Sequence, residues 1–283
     1  MVAKPGIAIV GPGNLGTALA VELRRGGFVI EAVIAHSPKS LRRARALAKR
    51  TGARVASNLL NVKAEVVWLC VPDSSIRSAA RLLATQLEWK GRVALHSSGA
   101  LTSDELDSLR KLGAGVASAH PFMTFVRGSQ PTLARVPFAI EGDASAVRVA
   151  RRMVRDLGGQ AYPIPKADKA AYHAWGTFAS PLLTALLATT EQVAAIAGVG
   201  RKAAVRRMMP ILLQTLANYA AFGAPGAFSG PLVRGDAETV ARHLRVLSDV
   251  PAAREVYLSL GRAALKYLPT KNRSALKRLL DKS

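Results

Sequence analysis

The chain has 283 residues, enough for one large or two modest domains, and its 49% hydrophobic content excludes a disordered protein. Its 40 Lys and Arg against 18 Asp and Glu give a net charge of +22, spread over both halves of the chain. A nucleic-acid binder would gather such charge in one stripe with interleaved aromatic residues, which form only 5% of this chain. We therefore expect a surface that attracts small anionic metabolites and do not expect nucleic-acid binding.

The single cysteine, Cys70, excludes a disulfide framework within one chain. The N-terminal residues lack the pattern of a signal peptide. The most apolar later stretch, "ASPLLTALLATTEQVAAIAGVG", is interrupted by Glu191 and Gln192 and is too short to span a bilayer. These features predict a reduced, cytoplasmic protein without a membrane span.

Short apolar runs alternate with helical patterns as far as Pro165. The runs are "GIAIVG", "FVIEAVIA", "EVVWLCVP", "GRVALHSS", "AGVASAHP", "VPFAIEG" and "GGQAYPIP". Strands separated by amphipathic helices are typical of βαβ units, so this half predicts an α/β fold with a doubly wound parallel sheet.

The second half has helical patterns only. They cover residues 166–198, 201–223, 236–249, 251–268 and 271–281. The change near "YPIPKAD" predicts a nucleotide-binding domain at residues 1–163 and an all-helical domain at residues 164–283.

A glycine-rich turn, "GPGNLG", follows the first strand and opens the first helix. Gly11 permits the tight turn, Gly13 lets a pyrophosphate approach the backbone, and Gly16 lets the helix pack closely on the strand. The free N–H groups of the helix start, from Asn14 and Leu15 onward, can bind the phosphates. In this strand–turn–helix context the motif predicts dinucleotide binding.

The acid that usually grips the adenosine ribose, about 20 residues past such a turn, is missing. The stretch "VIAHSPKSLRR" offers His36 and Ser37, with Arg42 and Arg43 behind them. Without a carboxylate to repel a 2′-phosphate, and with donors present, the sequence favours NADP(H) over NAD. The alternative is that the two arginines belong to an ordinary basic helix face.

Three further strands end in polar motifs at the edge where a ligand should lie. They are "VPDSS", with Val71, Pro72 and Asp73, then "HSSGAL", with His96, Ser97 and Ser98, and "AHPFMTF", with His120. We expect the first motif near the cofactor, with Asp73 or Ser74 as a helix cap. The small residues Ser97, Ser98 and Gly99 would let a small substrate or the nicotinamide approach the backbone. Either histidine could donate to a substrate or transfer a proton, but each taken singly could also be structural.

The helical half adds a second group of polar residues. Lys169 and His173 are spaced i, i+4 and share a helix face. In "GPLVRGDAETVARHL", Arg234 is a candidate anchor for a substrate carboxylate, Asp236 is a natural N-cap, and His243 lies on the same face as Asp236. The histidine spacings lack a metal-ligand pattern, so no metal is expected.

Together, "GPGNLG", "VPD", "HSSGAL", "HPFMTF", "YHAWGTFAS" and "GPLVRGDAETVARHL" resemble Rossmann-like proteins with a DUF2520 C-terminal domain. These are relatives of the pyrroline-5-carboxylate reductase and 6-phosphogluconate dehydrogenase group. The resemblance covers essentially the whole chain. It implies an NADP-dependent oxidoreductase, some members resembling an alternative ketopantoate reductase, and a homodimer formed through the helices. Residues 172–181, "YHAWGTFASP", depart from the family pattern "YHAAAVFASN". Among the differences, Trp175 fills a small position and Pro181 replaces an amide.

We therefore predict a Rossmann-type NADPH-dependent reductase of a small, carboxylate-bearing carbonyl, ketopantoate being the first candidate substrate. The proton donor is His173 or His120, with Lys169 as the competing choice. A cyclic-imine reductase of the pyrroline-5-carboxylate type and a non-catalytic NADP-binding regulator remain the alternatives.

Overall fold

A computed structural model describes residues 4–129 and 131–281. The chain divides into two compact units, Met1–Thr177 and Phe178–Ser283. The first unit is built on one sheet of eight strands in the order β3-β2-β1-β4-β5-β6-β7-β8. The strands are β1 (Ile7–Val10), β2 (Ile30–Ile34), β3 (Arg54–Ala56), β4 (Val66–Leu69), β5 (Val93–His96), β6 (Gly115–Pro121), β7 (Pro137–Gly142) and β8 (Gln160–Pro163).

The helices of this unit connect the strands and cover the sheet. They are α1 (Asn14–Arg25), α2 (Pro38–Thr51), α3 (Asp73–Ala84), α4 (Asp107–Arg110), α5 (Ala144–Asp156) and α6 (Lys169–Thr177). Strand β1 shows why the sheet lies at the centre: Ile7 and Ile9 belong to the core on one face, and Ala8 and Val10 to the core on the other. A strand buried on both faces reads as a continuous apolar run, as the first half of the sequence does.

All neighbouring strands pair in parallel except β6 and β7, which are antiparallel. The predicted α/β fold with a mostly parallel sheet and a helical second half is confirmed. The sequence prediction did not include β3, because its three residues, Arg54–Ala56, are too few for a recognisable apolar pattern. The antiparallel pair was also not predicted, since strand direction leaves no mark in an apolar run.

The second unit is helical. It contains α7 (Leu183–Ile196), α8 (Arg201–Ala227), α9 (Pro231–Arg234), α10 (Ala237–Val246), α11 (Pro251–Tyr267) and α12 (Arg273–Asp281). Its buried core joins α10, α11 and α12 through six side chains: Val240, Leu244, Leu258, Leu265, Leu276 and Leu280.

The helix predicted over residues 166–198 is not continuous. A short 3₁₀ turn precedes α6, and a π-helical turn, Phe178–Leu182, separates α6 from α7. Pro181 lies in this turn and has no N–H to donate, which explains a local break in the α-helical hydrogen bonds. The first compact unit therefore runs through α6, beyond the domain boundary predicted after residue 163.

Within the described residues, no single helix is long and apolar enough to cross a membrane. One pair of helical segments, 166–196 and 201–234, meets the length and composition criteria when taken together, with a bend of 117° between them.

Candidate active site

The glycine turn has the geometry of a phosphate cradle. Gly11 has φ +97°, a conformation that side chains rarely adopt, and a methyl group on it would lie 2.7 Å from the Cys70 carbonyl oxygen. A methyl group on Gly16 would lie 2.2 Å from the Gly11 carbonyl oxygen, so helix and strand pack closely here. At Gly13, by contrast, the nearest atom in the path of a Cβ is 3.9 Å away.

Helix α1 begins at Asn14 without a side-chain cap. Its first N–H groups are therefore left for an anion, which the helix dipole also favours. The open space at Gly13 and these uncapped groups fit a bound pyrophosphate. The Asn14 side chain itself donates to the carbonyl oxygen of Phe125 at 3.1 Å, in the segment after β6, and Leu15 packs against the core.

A cavity of about 480 Å³ opens beside this turn. We call it the strand-end cavity, because Val10 and Ile34 at the ends of β1 and β2 line it. The other lining residues are Gly11, Pro12, Gly13, Ala35, His36, Ser37, Lys39, Ser40, Arg43, Cys70, Val71 and Pro72. Most residues predicted to bind a cofactor thus surround one space. Burial raises the pKa of the Cys70 thiol to about 12, so this wall carries a neutral sulfur.

The basic side chains near the ribose position differ from the prediction in one respect. Arg43 and Lys39 line the strand-end cavity, whereas Arg42 does not. Ser37 caps α2: its hydroxyl accepts from the Ser40 N–H at 3.2 Å, and its own N–H donates to the Ser40 hydroxyl at 2.9 Å. The sequence reasoning had not singled out Lys39, although its position directly after the Ser-Pro helix start was a usable signal.

The "HSSG" turn after β5 is held by internal hydrogen bonds. His96 is fully buried; its Nδ1 accepts from the Ser98 N–H at 3.1 Å and its Nε2 lies 3.0 Å from the Thr102 carbonyl oxygen. Burial lowers the pKa of His96 to about 4. Both ring nitrogens have backbone partners, so this geometry makes His96 a residue that orders the turn, instead of one that reaches a substrate.

The two serine hydroxyls of this turn also point to protein partners. Ser97 accepts from Trp68 Nε1 at 2.7 Å. Ser98 donates to the Asp73 carboxylate at 2.7 Å. Asp73 therefore ties two strand ends together, and the cap position of α3 is occupied by Pro72 instead of by Asp73 or Ser74 as predicted.

Lys169, at the start of α6, is 1% exposed. Its Nζ donates to the Ser98 carbonyl oxygen at 3.0 Å and to the Ser118 hydroxyl at 2.6 Å. Burial lowers the pKa of Lys169 to about 8, an effect partly opposed by the charges of Glu141 and Asp73. This ammonium links the start of α6 to the turn after β5 and to β6, and its burial shields it from solvent.

His120 and His173 lie on either side of the turn. Their ring centroids are 6.2 Å apart, and the planes cross at 79°. A methyl group on Gly99 would lie 2.7 Å from His173 Cδ2 and 2.9 Å from His120 Nε2. The absence of a side chain at Gly99 thus lets both rings approach one point, and the predicted proximity of the two histidines is present. His173 is exposed to solvent.

Tyr172, which the sequence reasoning had not selected, completes this group. Its hydroxyl is 2.8 Å from His120 Nδ1, and burial raises its pKa. Burial also lowers the pKa of His120 to about 4, assisted by the positive charge of Lys169. His120 is therefore neutral near pH 7. We name the set of His120, Tyr172, His173 and Gly99 the imidazole site.

The remaining predicted residues lie in the helical unit. Asp236 caps α10 as predicted, accepting from the Thr239 N–H at 3.1 Å. His243 Nδ1 is 3.0 Å from the Tyr257 hydroxyl. Arg234 is exposed at the end of α9. Their roles toward a substrate remain predictions. In the part of the chain that the structure describes, no group of three His, Cys, Asp or Glu side chains could hold a metal ion.

Two family models match the sequence in adjacent regions. A Rossmann-like domain matches residues 2–121, and the domain of unknown function DUF2520 matches residues 136–264. Each match covers less than half of the chain, and the two do not overlap. The DUF2520 match begins within the last part of the sheet and includes α6, so it supplies Tyr172 and His173 to the imidazole site, whereas the Rossmann-like match supplies Gly99 and His120.

Solved structures share this arrangement. A Bacteroides fragilis protein described as a "putative NADP oxidoreductase" is 22% identical, with a TM-score of 0.77 over 92% of this chain and 97% of that chain. A Thermotoga maritima protein is 23% identical, with a TM-score of 0.70 over 98% of each. An imine reductase from a Pseudomonas species is 19% identical, with a TM-score of 0.64 over 98% of this chain and 100% of that chain. These likenesses establish the fold. No curated protein matches in sequence.

The lowered pKa values of His96 and His120 predict a loss of stability in acid. Below pH 6.5 the unfolded chain protonates His96 and His120, while the folded chain resists until about pH 4. Stability should therefore fall as the pH falls through this window, by about 1 kcal/mol per pH unit for each histidine. Urea unfolding between pH 7.5 and 4.5 measures this slope. His96→Gln should make the slope shallower, and an unchanged slope would contradict the assignment.

Proposed function

We propose that the protein is an NADPH-dependent oxidoreductase that reduces a small carboxylate-bearing carbonyl compound, a ketopantoate-like 2-oxo acid being the first candidate. The observation that carries the proposal is the imidazole site, where two histidines converge on Gly99. Gly99 follows β5, and only β4 separates β5 from β1, the strand that leads into the glycine turn. The names of structural neighbours support the class. They include a pyrroline-5-carboxylate reductase from Coxiella burnetii and an Aspergillus terreus reductive aminase in complex with NADPH.

The cofactor assignment rests on the strand-end cavity. Gly13 leaves room for a pyrophosphate, and the uncapped start of α1 offers N–H donors. A 2′-phosphate on the ribose would meet the start of α2, where Lys39 and Arg43 supply positive charge and no acid lines the cavity. When bound, the nicotinamide supplies the hydride.

The chain's own contribution is to hold the substrate oxygen and to deliver a proton. Tyr172 keeps its proton because its pKa is raised, and we assign it as the donor to His120 Nδ1. The neutral His120 then carries its proton on Nε2, which is the His120 atom nearest to the position of a Cβ on Gly99. This N–H donates a hydrogen bond to the substrate oxygen. His173 is exposed, so it can take a proton from water and pass it to that oxygen. Lys169 positions the turn and does not reach the substrate.

One observation favours cyclic imines as the second candidate substrate class. Trp175 is 60% exposed and its ring centroid lies 4.4 Å from that of Phe122. Phe122 also contacts Tyr172, with ring centroids 5.4 Å apart. An exposed indole face beside the imidazole site can bind a protonated imine by a cation–π interaction.

The preference for NADPH over NADH tests the cofactor assignment. Arg43→Ala should weaken NADPH binding by about tenfold or more, because a charge-assisted contact with phosphate is worth about 1.5–3 kcal/mol. NADH binding should change little. Arg42→Ala is the matched control, since Arg42 lies next in sequence but outside the strand-end cavity. Fluorescence titration of NADPH and NADH against the three proteins gives the dissociation constants. Equal losses in both variants, or equal affinity for the two cofactors in the wild type, would refute the 2′-phosphate contact.

Substitution of the proposed proton donor tests the catalytic part of the proposal. His173→Asn should lower turnover by about 10²–10⁴-fold, the usual contribution of a general acid, with NADPH affinity unchanged. Tyr172→Phe should lower turnover less, because it leaves the His120 ring in place. NADPH oxidation is followed with a series of 2-oxo acids and cyclic imines, which also decides between the two substrate classes. Full activity of His173→Asn on the best substrate would exclude this residue as donor.

We also propose that the helical unit forms a homodimer. Of the 27 residues of α8, only Ala204 is buried. Large apolar side chains are exposed along the helix: Val205, Met209, Ile211, Leu213, Leu216, Tyr219 and Phe222. An apolar surface of this length is unusual on a monomer, and a second copy of the same chain is the commonest partner for such a face.

The dimer is tested by placing a charge on this face. Leu213→Glu should shift the protein from twice the chain mass of 29.9 kDa to a monomer in light scattering coupled to size exclusion. Leu82→Glu, at a half-exposed leucine of α3 in the other unit, is the control and should remain dimeric. A monomeric wild type, or dissociation by both variants, would contradict the proposal.

A further inference from the structure

A second cavity, of about 430 Å³, lies between α1 and α2 and is bounded by the segment after β6. We call it the interhelix cavity. It differs from the strand-end cavity in its walls, because no strand residue lines it. Pro12, Gly13 and Asn14 of the glycine turn line one end of the interhelix cavity, so it opens from the proposed phosphate cradle. A dinucleotide in a sheet of this kind lies at the carboxyl ends of the strands, and the remainder of the cavity, between α1 and α2, extends beyond that position.

The floor of the interhelix cavity is apolar. Ala18 and Val21 contribute from α1, and Leu47, which is 2% exposed, contributes from α2. A ring or a short aliphatic chain can therefore be buried here. Burial of such a group is favourable in proportion to the apolar area removed from water.

The wall of the cavity is cationic. Four arginines line it, Arg25, Arg43, Arg50 and Arg127, against a single acid, Glu22. Glu22 forms an ion pair with Arg25, whose Nη1 donates to the Glu22 carboxylate at 2.6 Å. Among the described residues, Arg43 and Arg127 have no carboxylate partner within ion-pair distance. The space thus combines an apolar floor with uncompensated positive charge.

Pro12, Gly13 and Arg43 line both cavities, and Arg43 is the charged residue among these three. One guanidinium cannot give its full set of donors to an anion in each cavity at the same time. Any anion bound in the interhelix cavity therefore draws on the side chain that we assign to the 2′-phosphate of the cofactor.

We propose that the interhelix cavity binds a small organic anion with an apolar body, and that this anion weakens NADPH binding by competing for Arg43. The ligand class is a phosphate, sulfate or carboxylate attached to a ring or a short chain. The binding part of the proposal stands on the cavity alone, whereas the competition rests on the proposed function.

Phenyl phosphate is a suitable probe, and inorganic phosphate is its comparator without an apolar body. Calorimetric titration of the full chain should show phenyl phosphate binding at least about tenfold more tightly, because the ring is buried on the apolar floor. Equal affinities would overturn the amphipathic assignment.

Ala46 allows the site to be located. It is an exposed position of α2 that lines the interhelix cavity but not the strand-end cavity. Ala46→Glu places a carboxylate among the arginines and should weaken phenyl phosphate binding by about tenfold or more, whereas Ala46→Gln, of the same size but neutral, should have a much smaller effect. NADPH affinity should be unchanged in Ala46→Gln, whereas Ala46→Glu should weaken it, because a carboxylate three residues after Arg43 on α2 competes for the same guanidinium. Unchanged phenyl phosphate binding in Ala46→Glu would place the probe elsewhere and overturn the proposal.

The competition is measured by titrating NADPH in the presence of saturating phenyl phosphate. The apparent dissociation constant should rise by about fivefold or more in the wild type, a coupling of ordinary size, and much less in Ala46→Glu. An unchanged constant would refute the competition while leaving the binding result intact. If NADPH does not bind at all, the proposed function fails, and the calorimetric comparison of the Ala46 variants still decides whether the anion site exists.

Discussion

The buried ammonium of Lys169 is the interaction on which the candidate site depends. Its two hydrogen bonds reach the backbone at Ser98 and the hydroxyl of Ser118, so one side chain fixes helix α6 against two neighbouring strands. Burial of a charge is costly unless such partners are present, and the partial relief by Glu141 and Asp73 fits that requirement. Since Tyr172 and His173 follow on the same helix, the position of Lys169 also decides where their rings lie.

The same ammonium affects the electrostatics of the site. It lies close enough to His120 and His96 to disfavour their protonation, in addition to the larger effect of burial. A group that holds the backbone therefore also keeps the neighbouring imidazole neutral. Loss of the Lys169 charge would therefore both loosen the turn and change the protonation of His120.

Much of this was predictable from the sequence. Apolar runs separated by amphipathic helices predicted the sheet, and "GPGNLG" predicted the tight turn between β1 and α1, because both depend on local pattern. Phosphate binding at this turn stays a prediction. The i, i+4 spacing of Lys169 and His173 placed both on one face of α6, but it could not distinguish a buried ammonium from an exposed imidazole. That difference depends on Ser98 and Ser118, which are distant in sequence. For the same reason the sequence could not show that Arg42 lies outside the strand-end cavity, or that His96, Ser97 and Ser98 have partners within the protein. The orientation of a side chain and its internal partners are set by packing.

The demand for glycine at position 99 has an unusual origin. Its backbone is not in the left-handed region, so the main chain itself would accept any residue. The restriction comes wholly from the two imidazole rings that close over the Cα atom. The hydrogen atom that stands where a Cβ would lie leaves room for both rings, so a larger group there would have to push His120 or His173 away. The distance between the two imidazoles therefore depends on a residue that carries no functional group of its own.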